Sequence, residues 1–370
     1  MATKWPDGFA KGRANLRALL VLSSLRGLTP LKLLQVAQLH GSARGCLSAV
    51  REGRAGSEAD RRYAEELDSS EIEAAVTACG ARFVAVGSDD YPAQLEHLSD
   101  PPAGLFVLGR ALPIPGSAVA VVGARNCSDG GRDMAWMIGR DLAARGMCVV
   151  SGAARGIDAA CHEGALAASG QTLAVLGCGI DRAYPHGSRS LVARIAEAGT
   201  IASEYPPGVP AASFRFPARN RIIAGLARGL VVVEGAAGSG SLISAEHALD
   251  LGREVFAVPG ALDNPLAGVP HALIREGATL IRGVDDLLSD LGLAGAGAAG
   301  GEITARLDVT LLERAAFDSV AGSVLPETVA RELRLTVPEV LPLLMALEMK
   351  GLVRSVGGRF RRRVGPTGRV

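Results

Sequence analysis

The chain has 370 residues, 48% of them hydrophobic but only 4% aromatic, with 47 glycines and a formal net charge of +1. That length exceeds one ordinary core and predicts two or three domains, of an α/β kind rich in small apolar residues. A near-zero net charge excludes attachment to polyanions through the overall field, so a nucleic-acid surface requires local segregation of basic side chains. Cys46, Cys79, Cys127, Cys148, Cys161 and Cys178 form no CxxC pair. This excludes a zinc knuckle or a disulfide framework and fits reduced thiols in a cytoplasmic protein. Residues 1–7 lack a signal-peptide layout, and the run 19–25 is far shorter than the roughly 20 apolar residues that span a bilayer. A soluble protein without a membrane partner is expected.

Residues 15–80 read as helical, with Leu16, Leu19, Leu20, Leu31, Leu34, Val36, Ala37 and Leu39 at helical spacing and Gly27, Gly41, Gly45 and Gly53 as breaks. Thr29 and Pro30 predict a capped helix start. Residues 1–80 are thus expected to form a small helical module, of the SAM or helix-hairpin-helix kind. A strand over 81–88 follows; no element is assigned between Pro92 and Ser117. From there the pattern alternates. Strands are predicted at 119–122, 148–150, 172–176, 200–202, 230–233, 254–258 and 279–281, separated by helices such as 131–145 and 157–168. The uninterrupted apolar run 119–122 suits a parallel strand buried on both faces. Residues 81–290 therefore predict a Rossmann-like, doubly wound, mostly parallel sheet, whose ligands sit beyond the carboxyl ends of the strands.

The Gly/Ala stretch in 291–302 predicts a flexible linker. Beyond it, 303–370 predicts a winged-helix-like module: helices at 309–320 and 326–333, a third capped by Thr336 and Glu339 and ended by Gly351, and a hairpin through Gly357-Gly358. Pro342 conflicts with the third helix.

A dinucleotide fingerprint fails, because Gly123-Ala124-Arg125 lacks the second glycine and Gly177-Cys178-Gly179-Ile180-Asp181-Arg182 the third. No phosphate-binding loop of the G-x-x-x-x-G-K-[ST] type and no G-x-S-x-G elbow occurs, so neither a nucleotide cofactor nor a serine nucleophile is expected. The six histidines are scattered; Asp158 and His162 make only an i, i+4 pair, read as a helix cap with a neighbour rather than a metal site. Phosphate binding remains. The run Phe214 to Ala224 sets Arg215, Arg219, Arg221, Asn220 and two phenylalanines at a helix start, and a glycine-serine loop, 235–241, follows Glu234. Arg125, Arg155, Arg219 and Arg221, with three glycine-rich loops at one sheet edge, predict a surface that holds a phosphate backbone.

These same residues resemble the DprA/Smf family of DNA-processing proteins of bacterial natural transformation. Val121-Val122-Gly123-Ala124-Arg125 is similar to its G-S-R motif, 151–158 to its S-G-x-A-x-G-I-D signature, and 174–185 to its A-V-L-G-x-G-x-D-x-x-Y-P. Residues 216–226 match its most distinctive run nearly letter for letter, and 239–245 and 252–260 follow in order. The resemblance implies a domain that binds single-stranded DNA, forms a homodimer and helps load RecA, with no enzymatic activity, cofactor or metal. Carried over residue by residue, Gly123 and Arg125 would meet phosphate, and Ser151, Gly152, Arg155 and Gly156 would form a backbone cradle. Arg219, Asn220 and Arg221 would add contacts, Phe214 or Phe216 would stack on a base or pack in the core, and Gly238, Ser239, Gly240 and Ser241 would close the groove. Ala124 stands where the family usually has serine, and Gly235 where it more often has alanine. With four phosphates neutralised, the slope of log affinity on log salt is expected near −3, at about −0.7 per phosphate.

Two rival readings exist. Glu234 with the loop 238–246 is similar to the glycine loop of phosphoribohydrolases that cleave nucleoside monophosphates, although the P-G-G is missing and the glutamate is shifted. Alternatively, Arg354, Arg359, Arg361, Arg362 and Arg363 would bind duplex DNA through the C-terminal module.

Overall fold

A computed structural model describes residues 4–236, 238–293, 310–320, 323–350 and 352–362. Most of the expected linker, the expected helix start at Val309, the expected helix end at Gly351, and Arg363 lie outside the described residues. The chain forms two compact units, Met1–Ala298 and Ala299–Val370.

In the first unit five helices come first: Arg13–Ser24 (α1), Pro30–His40 (α2), Ala43–Arg51 (α3), Glu58–Glu66 (α4) and Ser69–Ala78 (α5). Thr29 caps α2 by accepting the Lys32 N–H, with Pro30 at the first position, which leaves no donor unpaired there. Asp60, buried, caps α4 with Ser57 and accepts the Gly27 N–H at 2.9 Å, tying α4 to the α1–α2 turn. Leu19, Leu34, Ile72 and Val76 belong to the same continuous core as Val84, Phe106 and Val150. Residues 1–80 and 81–290 thus fall within one compact unit, in which the short helices pack on one another and α5 meets β1.

The sheet is built from Arg82–Ala85 (β1), Gly104–Gly109 (β2), Ala118–Val122 (β3), helix Asp129–Ala144 (α6), Cys148–Ser151 (β4), helix Ile157–Ala167 (α7), Thr172–Leu176 (β5), helix Arg189–Ala198 (α8) and Thr200–Ser203 (β6). It continues with helix Arg215–Leu226 (α9), Gly229–Val232 (β7), helix Gly240–Asp250 (α10), Glu254–Ala257 (β8), helix Gly268–Arg275 (α11), Thr279–Leu280 (β9) and helix Val284–Asp290 (α12). The strand order is β1-β2-β6-β5-β4-β3-β7-β8-β9. All neighbours from β6 to β9 are parallel, whereas β1–β2 and β2–β6 are antiparallel. The sequence reading left β2 out, although its apolar run Leu105–Leu108 is as long as those of strands it did assign and six residues make it the longest described strand of the sheet.

Residues of β3 divide between two cores, Ala118, Ala120 and Val122 on one side and Val119 and Val121 on the other. The run is apolar throughout because both faces are covered. Helices α6, α7 and α12 fill one core, and α9, α10 and α11 bury residues in the other. From β3 the chain winds outward through β4, β5 and β6, then returns along α9 to β7 on the opposite side of β3. The strand order reverses there, so a crevice opens between the ends of β3 and β7.

In the second unit, Leu311–Ser319 (α13), Ser323–Val324 (β10), Pro326–Leu333 (α14), Val337–Met349 (α15), Val353–Val356 (β11) and Arg359–Arg362 (β12) form three helices and an antiparallel sheet of order β10-β12-β11. Helix α15 continues past Pro342. Glu339 accepts both the N–H and the hydroxyl of Thr336, and Val340, Leu344 and Leu347 are fully buried; burial of that face, at about 2 kcal/mol per side chain, offsets the lost hydrogen bond.

Gly156, just before α7, has φ of 80° and ψ of −125°, and a Cβ there would stand 2.3 Å from the Ala124 carbonyl oxygen. We expect Gly156→Ala to cost at least about 1–3 kcal/mol, read as a lower urea midpoint; an unchanged midpoint would contradict this packing.

Candidate nucleic-acid interface

The crevice between β3 and β7 holds a cleft of about 690 Å³. Its walls are Val122–Asn126 after β3, Ala154 and Asp158 at the start of α7, Tyr184, residues 211–213 before α9, Phe216, Pro217, Arg219 and Asn220 of α9, and the loop entering α10. A second cleft of about 600 Å³ adjoins it, lined by Arg125, Asn126, Arg132, Arg155, Gly156 and Glu163 among others. Arg125 and Asn126 line both. The Arg125, Arg132 and Arg155 side chains are exposed.

Three planar groups are stacked at the shared wall. The Arg125 guanidinium lies 5.3 Å from the Phe216 ring centre. The Tyr184 ring is stacked on Phe216 at 5.2 Å and 25°. Opposite, Gly238, Ser239, Gly240 and Ser241 lead into α10 and line the cleft, Gly238 at φ of 77°. Asn220 donates to the Gly240 carbonyl, fixing α9 to that loop at 3.2 Å. The start of α10 contributes its positive dipole end to this wall.

Glu234 keeps the two strand ends together. It is 6% exposed and accepts the Ser128 N–H at 2.8 Å, the Ser128 hydroxyl at 2.6 Å and the Asn264 amide at 3.1 Å. Its carbonyl oxygen accepts the Ala124 N–H. Neither Glu234 nor Glu246 lines the cleft, and among the described residues Asp158 is the only carboxylate that does. Among the described residues, no glutamate lines this first cleft.

Residues 82–292 match the family model of DNA recombination-mediator protein A, and residues 311–359 match the DprA winged helix domain. The chain belongs to the DNA recombination-mediator protein A (DprA/Smf) family. Its sequence is 38% identical over 287 residues to Protein Smf of Escherichia coli strain K12, covering 76% of this chain and 77% of that one. It is 43% identical over 202 residues to DNA processing protein DprA of Streptococcus pneumoniae, covering 55% and 71%. The X-ray structure of the S. pneumoniae DprA matches with a TM-score of 0.66 at 34% identity, over 75% of this chain and 97% of that one. DNA processing protein A of Helicobacter pylori, in a structure described by its single-stranded DNA binding mode, matches with a TM-score of 0.51 at 27% identity, over 57% and 95%.

Within this DprA/Smf chain the structure separates the expected site residues. Gly123, Arg125, Phe216, Arg219, Asn220 and 238–241 (with Ala237 outside the described residues) surround the first cleft, and Arg155 and Gly156 the second. Phe214 is 69% exposed, so it does not pack in the core, but it is not in the cleft lining.

Ser151 and Gly152 do not form a backbone cradle. Ser151 is buried and donates to the Val121 carbonyl. The Gly152 and Ala154 N–H groups donate to the Asp158 carboxylate at 3.2 and 3.4 Å. An internal anion already fills that place. Burial raises the Asp158 pKa despite the opposing pull of Arg219 and the two amides.

Arg219 forms the floor of the cleft rather than an open contact. It is 4% exposed and donates to the carbonyls of Gly152 and Val175. Burial lowers its pKa to about 10, with Asp158 opposing. Arg221 is a correction. It lies outside the cleft lining, donating to Glu204 through both terminal nitrogens at 2.7 Å and pairing with Asp100 at 2.8 Å. Burial disfavours its charge, but Glu204, then Asp100, outweigh that and raise its pKa. A guanidinium so paired has no capacity left for phosphate.

His162 is a core histidine, accepting from or donating to Thr172 at 2.6 Å, with burial lowering its pKa to about 3. Sequence reasoning missed Tyr184, Asn126 and Arg132 as site residues. Tyr184 was signalled by its place in the 174–185 motif; nothing in sequence marks Arg132.

Removing Arg221 leaves Glu204 and Asp100 unpaired, so Arg221→Ala should cost about 3–5 kcal/mol, seen as a large drop in Tm. Arg125→Ala, at an exposed position, should leave Tm within about 2 °C, given the usual small effect of such substitutions. Equal drops in the two variants would contradict the assignment of Arg221 to the scaffold.

Proposed function

We propose that this chain binds single-stranded DNA along the two adjoining clefts and acts as a homodimeric recombination mediator that helps load RecA onto the strand. The observation that carries this reading is the shared wall: Arg125 and Asn126 line both clefts, with exposed Arg132 and Arg155 further along and an aromatic pair beside them. Guanidinium groups spaced along a groove follow a phosphate backbone, and aromatic faces take unpaired bases without selecting sequence. A duplex hides those base faces, so it gains only the charge term. The single-stranded DNA binding of the H. pylori relative supports the same reading, as does the naming of the family for recombination mediation.

Phosphate contacts are assigned to Arg125, Arg155 and Arg132, with main-chain donors of the 238–241 loop opposite. Arg219 holds the floor in shape. Glu163 also lines the second cleft, but it pairs with Arg194 at 2.7 Å.

Three contacts rather than four lower the expected salt dependence. The slope of log affinity on log salt for a single strand should be about −2, and Arg125→Ala should bring it to about −1.4. A salt-titrated anisotropy assay with matched single- and double-stranded oligomers checks this, with tighter single-strand binding expected. An unchanged slope in Arg125→Ala, or a duplex preference, contradicts the proposal. RecA loading is checked by adding the chain to RecA and the same strand, where faster filament assembly is expected.

A further inference from the structure

We infer that Tyr184 is the residue on which an unpaired base stacks, and that Phe216 is a spacer linking it to the phosphate-binding Arg125. This rests on the reading above that the clefts hold a single strand. Three aromatic side chains compete for the role. Phe214 is exposed but outside the cleft lining, and its ring carries the Arg215 guanidinium at 5.3 Å. Phe216 lines the cleft but is half-buried, and its ring is already occupied by Arg125 at 5.3 Å and Tyr184 at 5.2 Å. Tyr184 lines the same cleft and is 48% exposed. Half of its surface is open to a ligand.

A base added to Tyr184 extends the set of guanidinium, phenyl and phenol groups by one more planar member, at the ring spacing that offset stacks prefer. Arg125 lies against the same Phe216 ring, in reach of the backbone of the same strand. The site thereby couples one charge contact to one stacking contact through Phe216. Every base has a π-face, so this contact carries no sequence preference.

The test compares the full-length chain with Tyr184→Ala, Tyr184→Phe, Tyr184→Trp and Phe216→Ala. The ligands are an oligothymidylate and an abasic deoxyribose-phosphate oligomer with the same number of phosphates. Tyr184→Ala should weaken oligothymidylate binding about tenfold, the usual worth of one base stack, and leave abasic binding unchanged. Tyr184→Phe and Tyr184→Trp should bind like wild type. A 2-aminopurine in the strand should be quenched by wild type and Tyr184→Phe but not by Tyr184→Ala. Equal losses on both oligomers, or no quenching by wild type, overturn the assignment. Loss of quenching in Phe216→Ala with full quenching in Tyr184→Ala overturns it in favour of Phe216. If wild type binds oligothymidylate and Tyr184→Ala matches it, this inference alone fails. If wild type binds neither oligomer, the cleft reading fails and takes the inference with it.

Discussion

The buried Glu234 carboxylate is the interaction on which the site geometry depends. At the reversal of strand order the β3–β7 register ends at Val122 and Val232, and only two backbone bonds, from the Val233 N–H to Val122 and from the Ala124 N–H to Glu234, carry the pairing on into the exits among the described residues. Glu234 bridges them by accepting from Ser128, at the start of α6, and from Asn264, while its own carbonyl accepts from Ala124. A buried carboxylate is tolerated only when its lone pairs are satisfied. Here two amide donors and a hydroxyl satisfy them, and the loops that carry Arg125 and the 238–241 turn stay at a fixed separation.

The same logic explains which charges face the solvent. Asp158 turns back onto the Gly152 and Ala154 amides, and Arg219 spans the carbonyls of Gly152 and Val175 beside it. Glu204 and Asp100 retain Arg221. These internal pairs occupy groups that, in the sequence, look like a phosphate site. What remains at the surface is a smaller set, Arg125, Arg132 and Arg155, lying along one wall. The fold thus uses Asp158, Arg219 and Arg221 for rigidity, while Arg125 and Arg155 of the same motifs stay exposed.

Much of this was legible in the sequence. The apolar runs 119–122 and 172–176 announce a sheet covered on both faces, and the run 216–226 marks the element beside the cleft. Helix geometry alone separates Arg219 from Arg221, since residues two apart stand about 200° apart around an α-helix. Which of them faces the cleft was not legible, because Asp100 and Glu204 are distant in sequence and neither belongs to a motif. β2 was left out although its apolar run Leu105–Leu108 carries an ordinary strand pattern; what the sequence does not show is that it pairs antiparallel with β6. The Phe216–Tyr184 stack joins residues 32 positions apart in sequence, and only the fold brings them together.

The claim at the centre of this account is that the crevice between β3 and β7 is where the nucleic acid lies. Amide hydrogen exchange of the full chain, with and without a saturating oligothymidylate, tests it most directly. The account predicts slowed exchange in 123–126, in 238–244 and at 154–157. Protection confined to residues 311–362, with those loops unchanged, would contradict it.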